Sequence, residues 1–238
     1  WRDDLAHGLV MARSADPLTY ATAVTYVYFP AIPMGVLGAD DAAVRDIEDA
    51  LRIAERAGDD FALSVARVTL GVALVHRHTA ADCDRGQALL AEVGAALQHR
   101  GYLLSELPII DVYLARAKAR QADRADPTPV LRGAVDHLFR EGRLLGWSVP
   151  ATGVLAQTLL EHGTAADVAE AEAAIERLAV APADEGLVIR EVWLLRLRAL
   201  LARSRGADTA YHDYRDRYRA MATSLGFEGH RKWAEAMP

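Results

Sequence analysis

His76-Arg77-His78 and His137-Leu138-Phe139-Arg140-Glu141 are the two runs that carry metal-ligating residue types, and Cys83 is the single thiol. A zinc site needs about four ligands converging on one point. HxH spacing sends its two rings to different faces of a helix, and no nearby cysteine completes a set. HxxxE puts two donors on one helix face without a third, and a salt-bridged surface accounts for it. His76 and His78 are expected at a helix C-terminus, where cationic side chains meet the negative end of the dipole. Cys83 stands between Asp82 and Asp84, whose charges oppose thiolate formation, so an inert thiol is expected. Neither a metal nor any other cofactor is implied.

Catalytic signatures are missing. The chain has no GxxxxGK[ST] phosphate loop, no GxGxxG after a strand and no GxSxG nucleophile elbow. With no convergent acid, base and nucleophile, the chain is read as non-catalytic. Recognition is the stronger candidate. Tyr211, Tyr214 and Tyr218 interleave with Arg215, Arg217 and Arg219, a pattern able to stack on bases. Asp213 and Asp216 nearly cancel that charge, and tyrosines at steps of three and four fit a core seam better. Between Ile189 and Leu201, Trp193 lies among Arg190, Arg196 and Arg198; its apolar residues outnumber what one buried face needs, as in a helix sandwiched between neighbours. Tyr113, Arg116, Trp147, Gln157, Arg190 and Trp193 are the residues expected to furnish a partner-binding face.

The elements that must position these side chains are helices. Hydrophobic residues make up 52% of the 238, charged residues 25% and aromatics only 7%; alanine and leucine dominate, and both favour helix. The net charge of −6 argues against a nucleic-acid surface. No apolar run reaches the ~18 residues of a membrane span, and the opening Trp1-Arg2-Asp3-Asp4-Leu5 is unlike a signal peptide. A cytoplasmic location is expected.

Punctuation marks the repeat. Gly58, Gly101, Gly146 and Gly226 are each expected to close a helix, with Phe61, Tyr102, Trp147 and Phe227 folding back behind them. The first two intervals are 43 and 45 residues and the third is 80, about two periods, the length of helix-pair repeats. Asp16-Pro17, Asp126-Pro127 and Ser148-Val149-Pro150 mark helix starts, and Thr164 with Asp167 resembles a capping box. First helices of each pair fall near 17–29, 60–77, 105–121, 149–162 and 187–204, and their partners near 41–57, 82–99, 128–145, 165–179 and 207–224. Residues 2–13 form an orphaned second helix and 227–236 a closing one. Leu70-Gly71, Leu114-Ala115 and Leu155-Ala156 set a large residue beside a small one for close helix crossing; Leu114 and Leu197 are expected to be buried. Phe29-Pro30-Ala31-Ile32-Pro33 is the one irregular apolar loop. The fold class is all-α, a tetratricopeptide-like helix-pair solenoid of about five pairs plus terminal helices, in one domain spanning 1–238. Its first helix is expected to be severed from an upstream partner, leaving Leu5, Leu9 and Val10 to be covered by another copy, while Glu228, His230, Arg231, Lys232 and Glu235 keep the far end solvated.

One stretch is familiar. Val188-Ile189-Arg190, Leu194 through Arg203 and Arg205-Gly206 resemble the C-terminal helical segment of large actinobacterial regulators. So do Arg217 through Ala222, Ser224 through His230 and the ending Trp233-Ala234-Glu235-Ala236-Met237. In that family a class III adenylate cyclase domain is followed by an ATPase module of the signal-transduction type and then by helical repeats; some relatives end in a LuxR-type DNA-binding domain. The resemblance runs from about 146 to 238, so the cyclase metal aspartates and the ATPase phosphate loop have no positions here. It implies a regulatory segment whose partners are the upstream domains of the same polypeptide and a protein or small-molecule effector, with no nucleic acid or membrane bound by this segment. Two functional classes stay open: a sensor or interaction scaffold acting on that cyclase and ATPase, and a purely structural or dimerising scaffold of a LuxR-type transcriptional regulator.

Overall fold

The computed structural model describes residues 2–77, 79–101, 104–119, 126–141, 146–182 and 187–237. Within them lie twelve α-helices, one 3₁₀ turn at Leu104–Glu106 and no strand: α1 Arg2–Ala15, α2 Pro17–Ala31, α3 Asp41–Ala57, α4 Asp60–Val75, α5 Ala80–Arg100, α6 Leu107–Ala119, α7 Thr128–Arg140, α8 Ser148–His162, α9 Ala165–Val180, α10 Val188–Ser204, α11 Asp208–Leu225 and α12 Glu228–Glu235. No helix among the described residues is long and apolar enough to cross a membrane.

Contacts divide the chain into two compact units, Trp1–Pro33 with Leu37–Ala117, and Met34–Val36 with Lys118–Pro238. In the first, α2 packs on α1, α3 and α4, while α4 also packs on α3 and α5. In the second, α8 packs on α7, α9 and α10, α10 on α9 and α11, and α11 on α12. The helices expected to come first in their pairs thus meet each other, α2 with α4 and α8 with α10, as a helical repeat requires. Burial follows. Nearly every turn of α4 and of α8 is buried on all sides, whereas α3 buries the single stripe Ala43, Ile47, Ala50 and Ala54 and α9 buries Ala171, Ile175 and Leu178. Steps of three and four residues put such a stripe on one face.

Exposed ion pairs join helices two apart at a recurrent sequence separation. Arg85 of α5 reaches Glu48 of α3 at 2.7 Å across 37 residues. Arg132 of α7 pairs with Glu170 of α9 at 2.7 Å across 38, and Arg177 of α9 with Asp136 of α7 at 2.5 Å across 41. Exposed pairs add little stability, but these repeat the register of one helix pair on the next.

Caps set the boundaries. The carboxylate of Asp16 accepts from the Thr19 amide at 2.9 Å, and Asp126 accepts from the Thr128 amide at 2.9 Å. Thr164 accepts from the Asp167 amide at 3.2 Å while its hydroxyl donates to the Asp167 carboxylate at 2.6 Å; Thr79 and Asp82 repeat the motif ahead of α5. After α11, Gly226 takes a φ of 66°, its amide bonds Thr223 and that of Phe227 bonds Ala222, the paired bonds of a glycine-closed C-terminus.

Several expectations need correction. Gly146 closes no helix: α7 ends at Arg140 on Glu141 in right-handed conformation. Phe61 stays 43% exposed. Ser148 opens α8 without a side-chain capping bond from Trp147 before it. The helix of the proline-rich stretch runs through Pro30 to Ala31, because an N–H is lost where only one bond is at stake, and Ile32 behind it is buried. Leu114 is half-buried while Ile109, Ile110, Val112 and Tyr113 fill the core beside it; Leu197 is fully buried. Leu9 packs against the first core, whereas Val10 remains 64% exposed. The side chains of Leu5, His78 and Tyr102 lie outside the described residues.

Candidate ligand-binding site

The six residues expected to form one face divide between the units. In the first, Tyr113 is buried with its ring centroid 4.6 Å from that of His76, and Arg116 is half-buried on the next turn. His76 sits at the C-terminus of α4 with Nδ1 2.8 Å from the Val72 carbonyl, and Arg77 pairs with Asp41 at 2.6 Å and Asp82 at 2.8 Å. In the second unit, Trp147 is buried ahead of α8, Arg190 donates to the Ala181 carbonyl at 2.6 Å, and Gln157 and Trp193 lie on the packed pair α8 and α10.

Trp193 is buried rather than displayed. Gly153 of α8 makes the room: a Cβ there would overlap the indole ring. Around Trp193 gathers a cluster that the expected face did not include. Trp233 lies 5.3 Å and His230 5.4 Å from it, ring to ring. The Trp193 Nε1–H donates to the Met34 carbonyl at 3.2 Å, and His230 Nε2 is 3.0 Å from the same oxygen. Since a carbonyl only accepts, Nε2 carries the proton and Nδ1 is left bare, 2.9 Å from the Tyr218 hydroxyl. His230 is therefore neutral and fully buried, contrary to the solvated end expected of α12. Burial first, then the charge of Arg196, lower its pKa to about 3, with the bond to Met34 opposing. Tyr218, likewise buried, confirms the core-seam reading of the α11 tyrosines, with Tyr211 beside it and Tyr214 at the margin. The α12 amides of Glu228 and His230 donate to the carbonyls of Val36 and Gly35, both at 2.9 Å. Gly229 permits this approach, since a Cβ would stand 2.8 Å from the Gly35 backbone.

Arg196 is the unusual member. It is 9% exposed, with its guanidinium carbon 4.8 Å from the Trp233 ring and 5.4 Å from that of Trp193. Its Nε and Nη1 are buried without an acceptor. Burial pushes its pKa down, against smaller opposite influences of Tyr218 and Glu161, but guanidinium stays charged in proteins. Buried cations are normally paired with an acid, whereas no ion pair to Arg196 is found among the described residues and its guanidinium carbon lies over the indole rings of Trp193 and Trp233.

A groove of about 310 Å³ runs between α8 and α10, lined by Gln157, Leu160, Glu161, Leu200, Arg203 and Ser204 but not by Arg196. Leu200 stands one turn beyond Arg196 on α10, and Glu161 is the carboxylate whose field reaches Arg196. A second groove, of about 280 Å³ in the first unit, is lined by Arg13, Arg52 and Arg56 over Tyr20, with Asp49 paired to Arg52. The described residues gather no group of three histidine, cysteine or acidic side chains around a common point.

The sequence pattern put Arg196 in the stretch around Trp193 but not on the expected face, put His230 at a solvated end, and gave Trp233 no role. Their signal was the i, i+3 spacing of Trp193 with Arg196 and of His230 with Trp233, which stacks each pair on one helix face. The chain matches no protein-family model and no curated protein.

Proposed function

We propose that this chain is a non-catalytic, tetratricopeptide-like helix-pair solenoid that binds a protein or small-molecule effector and, in a longer parent protein, biases an upstream ATPase and class III adenylate cyclase. The observation that carries the binding role is the groove of about 310 Å³ between α8 and α10, with Gln157, Glu161 and Arg203 on its walls. Helix-pair repeats place such grooves between first helices, and extended faces of this kind bind partners by surface rather than chemistry. The cyclase connection rests on the resemblance of residues from about 146 to 238 to the tails of those regulators. In the parent, conversion of ATP to cyclic AMP with and without residues 1–238 tests it. The expected result is a changed cyclase rate or a lost effector response on deletion; equal rates and equal responses would refute a regulatory role.

The structural alternative has its own observation. Val10 and Met11 of α1 are 64% and 57% exposed, an apolar pair that a second copy of the chain would cover. In that reading the module holds or dimerises its parent, a LuxR-type transcriptional regulator, and Val10→Glu with Met11→Glu turns a dimer into a monomer by light scattering; an unchanged oligomeric state would refute it.

A further inference from the structure

We infer that the groove of the first unit, where α1 ends beside α2 and α3, binds the phosphate monoester group of a small molecule. The inference stands apart from the effector-binding reading above and concerns a different groove. Its walls, around about 280 Å³, carry Arg13 from the last turn of α1, Tyr20 of α2, and Asp49, Arg52 and Arg56 of α3. Three guanidinium groups thus meet one carboxylate, a surplus of two positive charges on a chain whose net charge is −6. Arg52 and Arg56 are one turn apart on α3, a spacing at which like charges repel and weaken a helix.

The unit does not absorb this surplus. Arg52 pairs with Asp49, but Arg13 and Arg56 have no carboxylate partner among the described residues. Neighbouring acids are engaged elsewhere. Asp16 accepts from the amide and hydroxyl of Thr19, Asp46 from the Tyr28 hydroxyl at 3.0 Å, and Glu48 from Arg85 of α5 at 2.7 Å. The guanidinium carbon of Arg13 stands 5.1 Å from the centroid of the buried Tyr20 ring, a contact that uses a face and leaves the N–H edge to bond. One guanidinium edge satisfies a carboxylate. A phosphate monoester carries nearly two negative charges at pH 7 and three acceptor oxygens, enough to occupy two arginines and balance the surplus. Pro17 and Ile53 give the groove apolar wall, and a volume at the small end of ligand sites suits a body of a few carbons.

The experiment titrates the whole chain calorimetrically with glycerol 3-phosphate, acetate and a phosphoserine peptide, and follows thermal unfolding beside it. Glycerol 3-phosphate should bind saturably and raise the melting temperature. Since Arg13 and Arg56 face water, added salt should weaken that binding. Arg13→Gln and Arg56→Gln change exposed side chains, so both variants should keep the helical circular dichroism of the parent chain. Each should weaken binding about tenfold, as loss of a charge-assisted bond does. Asp49→Asn removes the one carboxylate of the groove and should tighten it. Arg205→Gln on α10, where Arg205 is already paired with Glu172, should leave it unchanged. A chain that takes up no glycerol 3-phosphate would overturn the inference, as would equal affinity in the Arg13→Gln, Arg56→Gln double variant. Acetate binding as tightly would overturn the phosphate assignment, and tighter binding of the phosphoserine peptide would overturn the small-molecule one. None of these outcomes touches the α8–α10 groove, which the cyclase comparison tests separately.

Discussion

In the first unit α4 turns Gly71 toward α5, where a Cβ would stand 2.8 Å from Leu90; in the second, α8 turns Gly153 toward the indole of Trp193 on α10. The device is the same, a glycine that lets a large side chain close on a helix backbone. What enters differs. The first unit's core cluster holds Val24, Ile32, Ile47, Leu70 and Leu74, with the tyrosine ring of Tyr20 as its one polar-tipped buried member. Around Gly153 the core admits Arg196, His230 and Tyr218, groups that cost stability when buried and must be held by partners. His230 and Tyr218 have theirs. Arg196 Nε and Nη1 have none, as is also true of Thr152 Oγ1 in the same unit and of Gln87 Oε1 in the first, but of these only Arg196 carries a full charge.

Cavity formation should break either unit most. Leu74→Ala and Leu197→Ala remove fully buried side chains and should each cost about 2–5 kcal/mol in denaturant titration. The half-buried Leu114 should cost less than either; an equal loss at Leu114 would show that its face is mis-assigned. Gly153→Ala, which forces Trp193 to move, should cost about 1–3 kcal/mol as an overpacked core does. Gly133→Ala on α7 meets nothing within 4 Å and should instead gain about 0.5–1 kcal/mol from helix propensity. A common sign for the two glycines would sink the packing argument.

His230 sharpens the comparison through pH. Its folded pKa of about 3 lies below the free value of 6.5, so below pH 6.5 the unfolded chain takes up a proton that the folded chain refuses. Stability from this group is complete above that pH and is lost as the pH falls toward the folded pKa, at up to about 1.4 kcal/mol per unit. Between about pH 7 and pH 5, His230→Asn should flatten the slope of unfolding free energy against pH relative to the parent chain; identical slopes would mean that His230 is not buried neutral. The smallest effect is expected at the surface, where deleting the exposed Arg205–Glu172 pair, 2.5 Å apart, should change stability by less than about 1 kcal/mol.

The helices were legible because capping and periodicity are local. Asp16, Asp126, Thr164 and Gly226 each fix a boundary with bonds to residues two to five positions away, and such spacings are visible in sequence. Gly146 misled because a glycine beside an aromatic marks a turn of either kind, and here it precedes α8 instead of closing α7. The site was legible only in halves. Gln157 and Trp193 stood out by residue type, while His230 looked like part of a charged terminal helix. Its burial depends on the carbonyl of Met34, 196 residues away, and no local pattern reports a partner at that distance.

The melting temperature of Arg196→Met tests the central claim most directly. A buried cation without an acid partner should leave the chain more stable once replaced by an apolar side chain of similar length, so the melting temperature should rise. A fall of several degrees would show that the stack of Trp193, Arg196 and Trp233 is there to hold the second unit together, and that the buried charge is structural.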